Sequence, residues 1–176
     1  NDDSAIAPLI QALSKRHMTT LDGAAPDHAK EVGAQIEERL NDLKNILSAV
    51  YNLRELTPRS RDYVISFGER LLAPLLGAAL RQRGIASTVM DGCEAGILTT
   101  SNHGESTALP ESDERIQQRV GNLLKSEVPV IMGFMGCSRE GVLTTLGRSG
   151  SDYSASIIGA GVDADEIWIF TDVDGI

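Results

Sequence analysis

Residues 144–176 read TTLGRSGSDYSASIIGAGVDADEIWIFTDVDGI. A glycine-bearing loop runs into a stretch with helical spacing over 151–161, and an apolar β-prone run follows at 166–171. Further short apolar runs stand upstream at 86–90, 96–100 and 128–132, with a helical stretch at 115–125. Short apolar strands alternating with helices are the pattern of a parallel sheet covered on both faces. The expected fold is therefore α/β, a three-layer α/β/α sandwich with a largely parallel sheet.

The first half of the chain reads as helices. Ile6, Leu9, Ile10 and Leu13 recur at helical spacing, which predicts a helix over 5–16 and a polar loop over 19–27. Val32, Ile36, Leu40, Leu43, Leu47 and Val50 mark the buried stripe of a longer helix. Thr57-Pro58 has the form of an N-cap followed by proline at the first helical position. The helix it opens should run towards Arg83 and stop at Gly84. Gly68 costs an isolated helix up to ~1 kcal/mol relative to alanine, so either a backbone comes close there or the helix breaks.

The length is 176 residues with 16 basic and 25 acidic side chains, a net charge of −9 that disfavours a nucleic-acid surface. The apolar stretch 71–80, with Pro74 inside it, is too short to span a bilayer, and no membrane partner is expected. Two cysteines, Cys93 and Cys137, show no CxxC spacing, which argues against a disulfide framework and makes a reducing cytoplasm the default. Both suit small apolar packing positions, Trp168 suits a core or an interface, and His17 and His28 suit solvent.

Two segments carry chemistry. In the loop over 144–153, glycines allow close backbone approach, and the following helix N-terminus presents N–H groups to an anion. Arg148 suits a carboxylate or phosphate, and Asp152 a cation or an ammonium. The same residues also fit a plain turn in which Ser151 or Asp152 caps the helix. Thr171-Asp172-Val173-Asp174-Gly175 sits at a strand end, where α/β folds gather ligands, although taken alone it reads first as an Asp-Gly turn. The polar loop over 99–107, with His103 and Gly104, reads as a lid or as an ordinary connection.

Four segments in order make the chain resemble a known family. Residues 144–176 resemble the aspartokinase signature of the amino acid kinase family. Ser66-Phe67-Gly68-Glu69-Arg70-Leu71 resembles its Ser-x-Gly-Glu helix, Met90-Asp91-Gly92-Cys93-Glu94-Ala95-Gly96-Ile97 its DGxEAGI turn, and residues 128–136, VPVIMGFMG, its IPVVxGFIG strand and loop. The resemblance implies a carbamate-kinase-like fold and transfer of a phosphoryl group from ATP, with Mg2+, to the side-chain carboxylate of L-aspartate. The product, 4-phospho-L-aspartate, opens lysine, threonine and methionine synthesis. Glu69 matches the glutamate that meets the substrate ammonium, and Arg148 the arginine that clamps a carboxylate. Ser151 and Asp152 match the helix start, Asp152 organising the site. Phe134 and Gly136 match the loop lining the aspartate pocket, and Gly150, Thr171 and Asp172 the nucleotide side. No protein metal ligand is implied, and a homo-oligomer is expected.

The family's Lys-x-Gly-Gly-Thr-Ser strand has no counterpart in this sequence, and neither do its adenine-side and ACT regions. The expectation is one partial, incomplete amino acid kinase domain over 1–176, with little kinase activity on its own. A glutamate-type amino acid kinase and a non-catalytic assembly fragment are the alternatives.

Overall fold

The computed structural model describes residues 5–170. Helices α1 (Ile6–Ala24), α2 (Ala29–Leu53), α3 (Pro58–Ile65) and α4 (Phe67–Gln82) lead to strand β1 (Ser87–Asp91). A single turn, α5 (Gly92–Ala95), and helix α6 (Glu111–Arg119) precede β2 (Val128–Met132). The hairpin strands β3 (Met135–Cys137) and β4 (Leu143–Thr145) follow, then helix α7 (Gly150–Gly161).

β1 and β2 pair in parallel, with Val89 opposite Val130 and Met90 opposite Ile131. The pleat sends alternate residues to opposite faces. Val89, Val130 and Met132 pack with Ala73 and Leu80 of α4. Met90 and Ile131 face Ile116 of α6 and Ile157 of α7. The sheet is thus the middle layer of an α/β/α sandwich. Behind α4, Leu21 of α1 and Val32, Ile36 and Leu40 of α2 close a helical core on Phe67, Leu71, Leu75 and Ala78.

The cap expected at Thr57 is present, its hydroxyl accepting from Ser60 N–H at 3.1 Å. The helix it opens breaks at Ser66, whose hydroxyl donates to Tyr63 O at 2.7 Å, a local bond that competes with regular helix geometry. A Cβ at Gly68 would meet nothing within 4 Å, so the break, and not a close neighbour, explains the glycine's tolerance. The stretch Pro58–Gln82 is long and apolar enough to cross a membrane by length and composition. Here Phe67, Leu71, Ala73, Leu75 and Ala78 are built into the cores described above, while Leu72 and Leu76 stay exposed.

Several expectations need correction. Residues 19–24, expected as a loop, continue α1 up to Ala24. The expected strand at 96–100 is reduced to two bridges, Leu98 with Cys137 and Thr99 with Ala108. The reason is local: Asp91 and Glu94 close a capping box at 2.8 Å in each direction, and Gly96 ends the turn at φ +107°. The helix expected over 115–125 begins earlier, at Glu111, and stops at Arg119. Residues 166–170 form no strand, and Trp168, expected in a core or interface, is not in the core but 73% exposed on this chain. The β3–β4 hairpin is antiparallel and was not anticipated. Cys137 is buried and Cys93 partly so. A hydrogen bond between the two thiols pushes Cys93 up and lowers Cys137 to about 7.

The capping turn fits because Gly92 has no side chain: a Cβ there would stand 1.9 Å from Met135 O. Gly92→Ala is expected to cost roughly 1–3 kcal/mol in urea unfolding, as overpacked sites do. Gly68→Ala, in open space, is expected to leave stability unchanged or raise it by up to ~1 kcal/mol.

Candidate active site

The N-terminus of α7 lies against the corner between β2 and β3. Phe134, at that corner, holds φ +67°. Its N–H donates to Ser154 Oγ at 3.0 Å, and its carbonyl accepts from Leu146 N–H at 2.9 Å. Ser154 Oγ also donates to Ser151 O at 2.7 Å, locking the first turn of α7 to the corner. The contact is tight enough that a Cβ at Gly150 would stand 2.7 Å from the Phe134 ring.

The N-cap of α7 is Ser149, in the left-handed region at φ +59°, and its side chain makes no capping bond. Neither Ser151 nor Asp152 caps the helix; both lie inside its first turn and are exposed. Gly150 N–H turns back to Gly147 O at 3.1 Å, while Ser151 and Asp152 N–H make no backbone bond among the described residues. Unpaired N–H groups at the positive end of a twelve-residue helix favour an anion. The cap expected at Ser151 or Asp152 is therefore absent, while the turn is present between Gly147 and Gly150.

Two clefts flank this point, and the adjacent residues Gly133 and Phe134 line one each. The first, about 660 Å³, carries Arg148, Arg61, His103 and Glu105 with Phe134 and Thr145. Two guanidiniums face one carboxylate there, in a chain of net charge −9. The second, about 490 Å³, carries Glu69, Ser151, Ser154 and Glu166. Burial raises the Glu69 carboxyl above its ordinary value.

Of the anticipated site residues, the structure brings Phe134 and Arg148 into one cleft, and Glu69 and Ser151 into the other. Asp152 and Gly150 lie on the helix turn between them. Gly136 is elsewhere: it is buried in β3, where a Cβ would stand 2.7 Å from Ile97 O, and it lines neither cleft. Thr171 and Asp172 lie outside the described residues. Among the described residues no group of three His, Cys, Asp or Glu side chains converges to hold a metal. Sequence reasoning missed Asp62, a fully buried carboxylate on α3 that supports the Arg148 cleft. Its partners are 41 to 83 residues away, so no local pattern marks it. The loop with His103 and Gly104 is fixed to Asp62 rather than standing free as a lid.

With this geometry in view, the sequence pattern described as "Amino acid kinase family" matches residues 7–176. The chain belongs to the amino acid kinase family. Among curated relatives, Aspartokinase 3, chloroplastic, of Arabidopsis thaliana is 37% identical over 154 residues, covering 84% of this chain and 28% of the relative. Aspartokinase 1 of Bacillus subtilis is 36% identical over 121 residues, covering 69% of this chain and 29% of the relative. This chain thus spans under a third of the length of these relatives. Among solved structures, E. coli aspartokinase III in complex with aspartate and ADP superposes with a TM-score of 0.80 at 25% identity, covering 95% of this chain and 36% of that one. The same enzyme with lysine and aspartate gives 0.79 at 22% identity, covering 93% and 41%. The α/β/α architecture is that of the amino acid kinase fold.

Glu69 makes a pH prediction. Its folded carboxyl binds its proton more tightly than the unfolded one, so its contribution to stability is full below the ordinary glutamate value and is lost as pH rises through the raised one. Glu69→Gln is expected to remove that loss. Urea midpoints of variant and wild type should then differ more at pH 7 than at pH 4, with the variant higher at pH 7.

Proposed function

We propose that this chain carries the aspartate-binding part of an aspartokinase, which uses ATP to phosphorylate the side-chain carboxylate of L-aspartate to 4-phospho-L-aspartate. That product begins lysine, threonine and methionine synthesis. One observation carries the reading: the uncapped N-terminus of α7 stands between a cleft rich in cations and a cleft with a half-buried glutamate. An acidic amino acid has the complementary charges. In this reading Arg148 forks onto a carboxylate, Glu69 takes the ammonium, and the Ser151 and Asp152 N–H groups face the charge of the reacting end. Phe134 walls the carboxylate side, and Asp152 orders the polar groups at the helix start.

Phosphoryl transfer asks the protein for positioning and charge compensation more than for covalent chemistry. The substrate carboxylate is itself the nucleophile, so no activated Ser, Cys or Lys is needed around Arg148. Magnesium-bound ATP supplies the phosphoryl group and offsets its charge. Its expected contacts are Gly150, at the helix turn, with Thr171 and Asp172. Mg2+ travels with the nucleotide phosphates in such sites and needs few protein ligands. Exposed Leu72 and Leu76 on α4, at 55% and 52%, give apolar surface for the homo-oligomer that completes the proposal.

Calorimetric titration with L-aspartate, with and without a non-hydrolysable Mg-ATP analogue, tests the reading. The expected result is binding selective over L-glutamate and weakened at least ~10-fold in Arg148→Ala, as for loss of a charge-assisted bond. Equal binding of glutamate points to a glutamate-type kinase. No binding by a folded chain overturns the proposal and favours an assembly role.

A further inference from the structure

Asp62 lies on α3 and is 0% exposed. Thr145 Oγ1 donates to its Oδ1 at 2.6 Å. Its Oδ2 takes Gly104 N–H at 3.1 Å and Thr145 N–H at 3.3 Å, and stands 2.7 Å from His103 Nδ1. A buried carboxylate is tolerated when its lone pairs are satisfied in this way. One side chain thereby joins α3, the loop with His103 and the end of β4. Those three segments supply most of the Arg148 cleft. The His103 loop also touches the Arg148 loop: a Cβ at Gly147 would stand 2.9 Å from Gly104 O.

The His103 ring is held by one nitrogen only. Its side chain keeps 19% exposure on the cleft, and Nε2 makes no hydrogen bond to a described residue. A ring fixed at Nδ1 by a buried carboxylate has its second nitrogen pre-oriented, the arrangement by which histidines are aimed at ligands. The charged groups around it are Asp62, bonded to Nδ1, and Arg61, Glu105 and Arg148, which line the same cleft.

We infer that His103 is a further anion-binding residue of the Arg148 cleft, and that Asp62 is the positioning residue that aims it. A carboxylate or phosphate oxygen is received jointly by His103 Nε2 and the Arg148 guanidinium. In the bound state the ring lies between two anions and donates from both nitrogens, Nδ1–H to Asp62 and Nε2–H to the ligand. The identity of the natural ligand as L-aspartate rests on the function proposed above; the anion contact itself does not.

The test uses the asparagine and glutamine variants, since asparagine keeps a donor near Nδ1 and glutamine one near Nε2. His103→Asn is expected to keep the wild-type melting temperature, through its bond to Asp62, and to weaken L-aspartate binding about tenfold. His103→Gln is expected to retain more of the affinity and to melt earlier. Wild-type affinity in a folded His103→Asn overturns the inference. Should His103→Asn fail to fold, 15N NMR of the wild-type histidines decides. Saturating L-aspartate should move His103 Nε2 to the protonated range and leave His17 and His28 unchanged, and an unmoved Nε2 overturns the inference.

If aspartate does not bind the wild type, the substrate reading fails, and inorganic phosphate is titrated into the same sample. A His103 Nε2 shift that Arg148→Ala abolishes then sustains the anion site, and no shift overturns it. Aspartate binding lost in Arg148→Ala but unchanged in His103→Asn leaves the substrate reading standing and removes His103 from it.

Discussion

Helix α4 is the wall shared by two cores, and the rest of the architecture depends on its being buried on two sides. Phe67, Leu71, Leu75 and Ala78 face the α1–α2 layer, while Ala73 and Leu80 face the sheet. A helix gripped from both sides has no freedom to roll or slide without opening one core or the other, because packed interiors tolerate little displacement. Glu69 is in the first turn of this helix. Its position at the edge of a cleft is therefore set by apolar packing that has no chemistry of its own. The cost appears in the carboxyl, which is driven towards its neutral form by burial.

The second element of the site is placed by polar contacts. The start of α7 is held to the β2–β3 corner by the Ser154 hydroxyl, which serves both Phe134 and Ser151. Arg148, one turn earlier in the chain, is exposed and depends on the loops beneath it for direction. Those loops converge on Asp62. A rigid apolar frame for the glutamate and a hydrogen-bonded frame for the arginine thus meet at one helix end.

The sequence revealed the parts whose physics is local. Periodic apolar residues marked α1 and α2, the Thr57-Pro58 pair marked the start of α3, and the run Val128-Pro129-Val130-Ile131-Met132 marked a strand. The DGxEAGI segment was recognisable as a motif, yet its structural content, a capping box and a glycine pressed on a carbonyl, was visible only in three dimensions. The hairpin strands are three residues each, too short for an alternation to register. Helix α1 overran its expected end because Gly23 and the Thr19-Thr20 pair read as loop, although a helix held by α2 and α4 tolerates them. Asp62, and its hold on the loop with His103, were out of reach for a different reason: a polar network between distant segments leaves no periodic trace.

Phe134 shows how much of the site is held under tension. A residue other than glycine in the left-handed region costs roughly 1–2 kcal/mol, and glycine would adopt the same φ of +67° freely. The ring that makes the corner expensive also walls the Arg148 cleft and abuts Gly150. Stability and recognition accordingly make opposite demands on a single residue: the backbone would rest more easily without a side chain, and the cleft would lose its wall. Such a corner is a compromise maintained by its neighbours, and improving the fold there would come at the expense of the surface it presents.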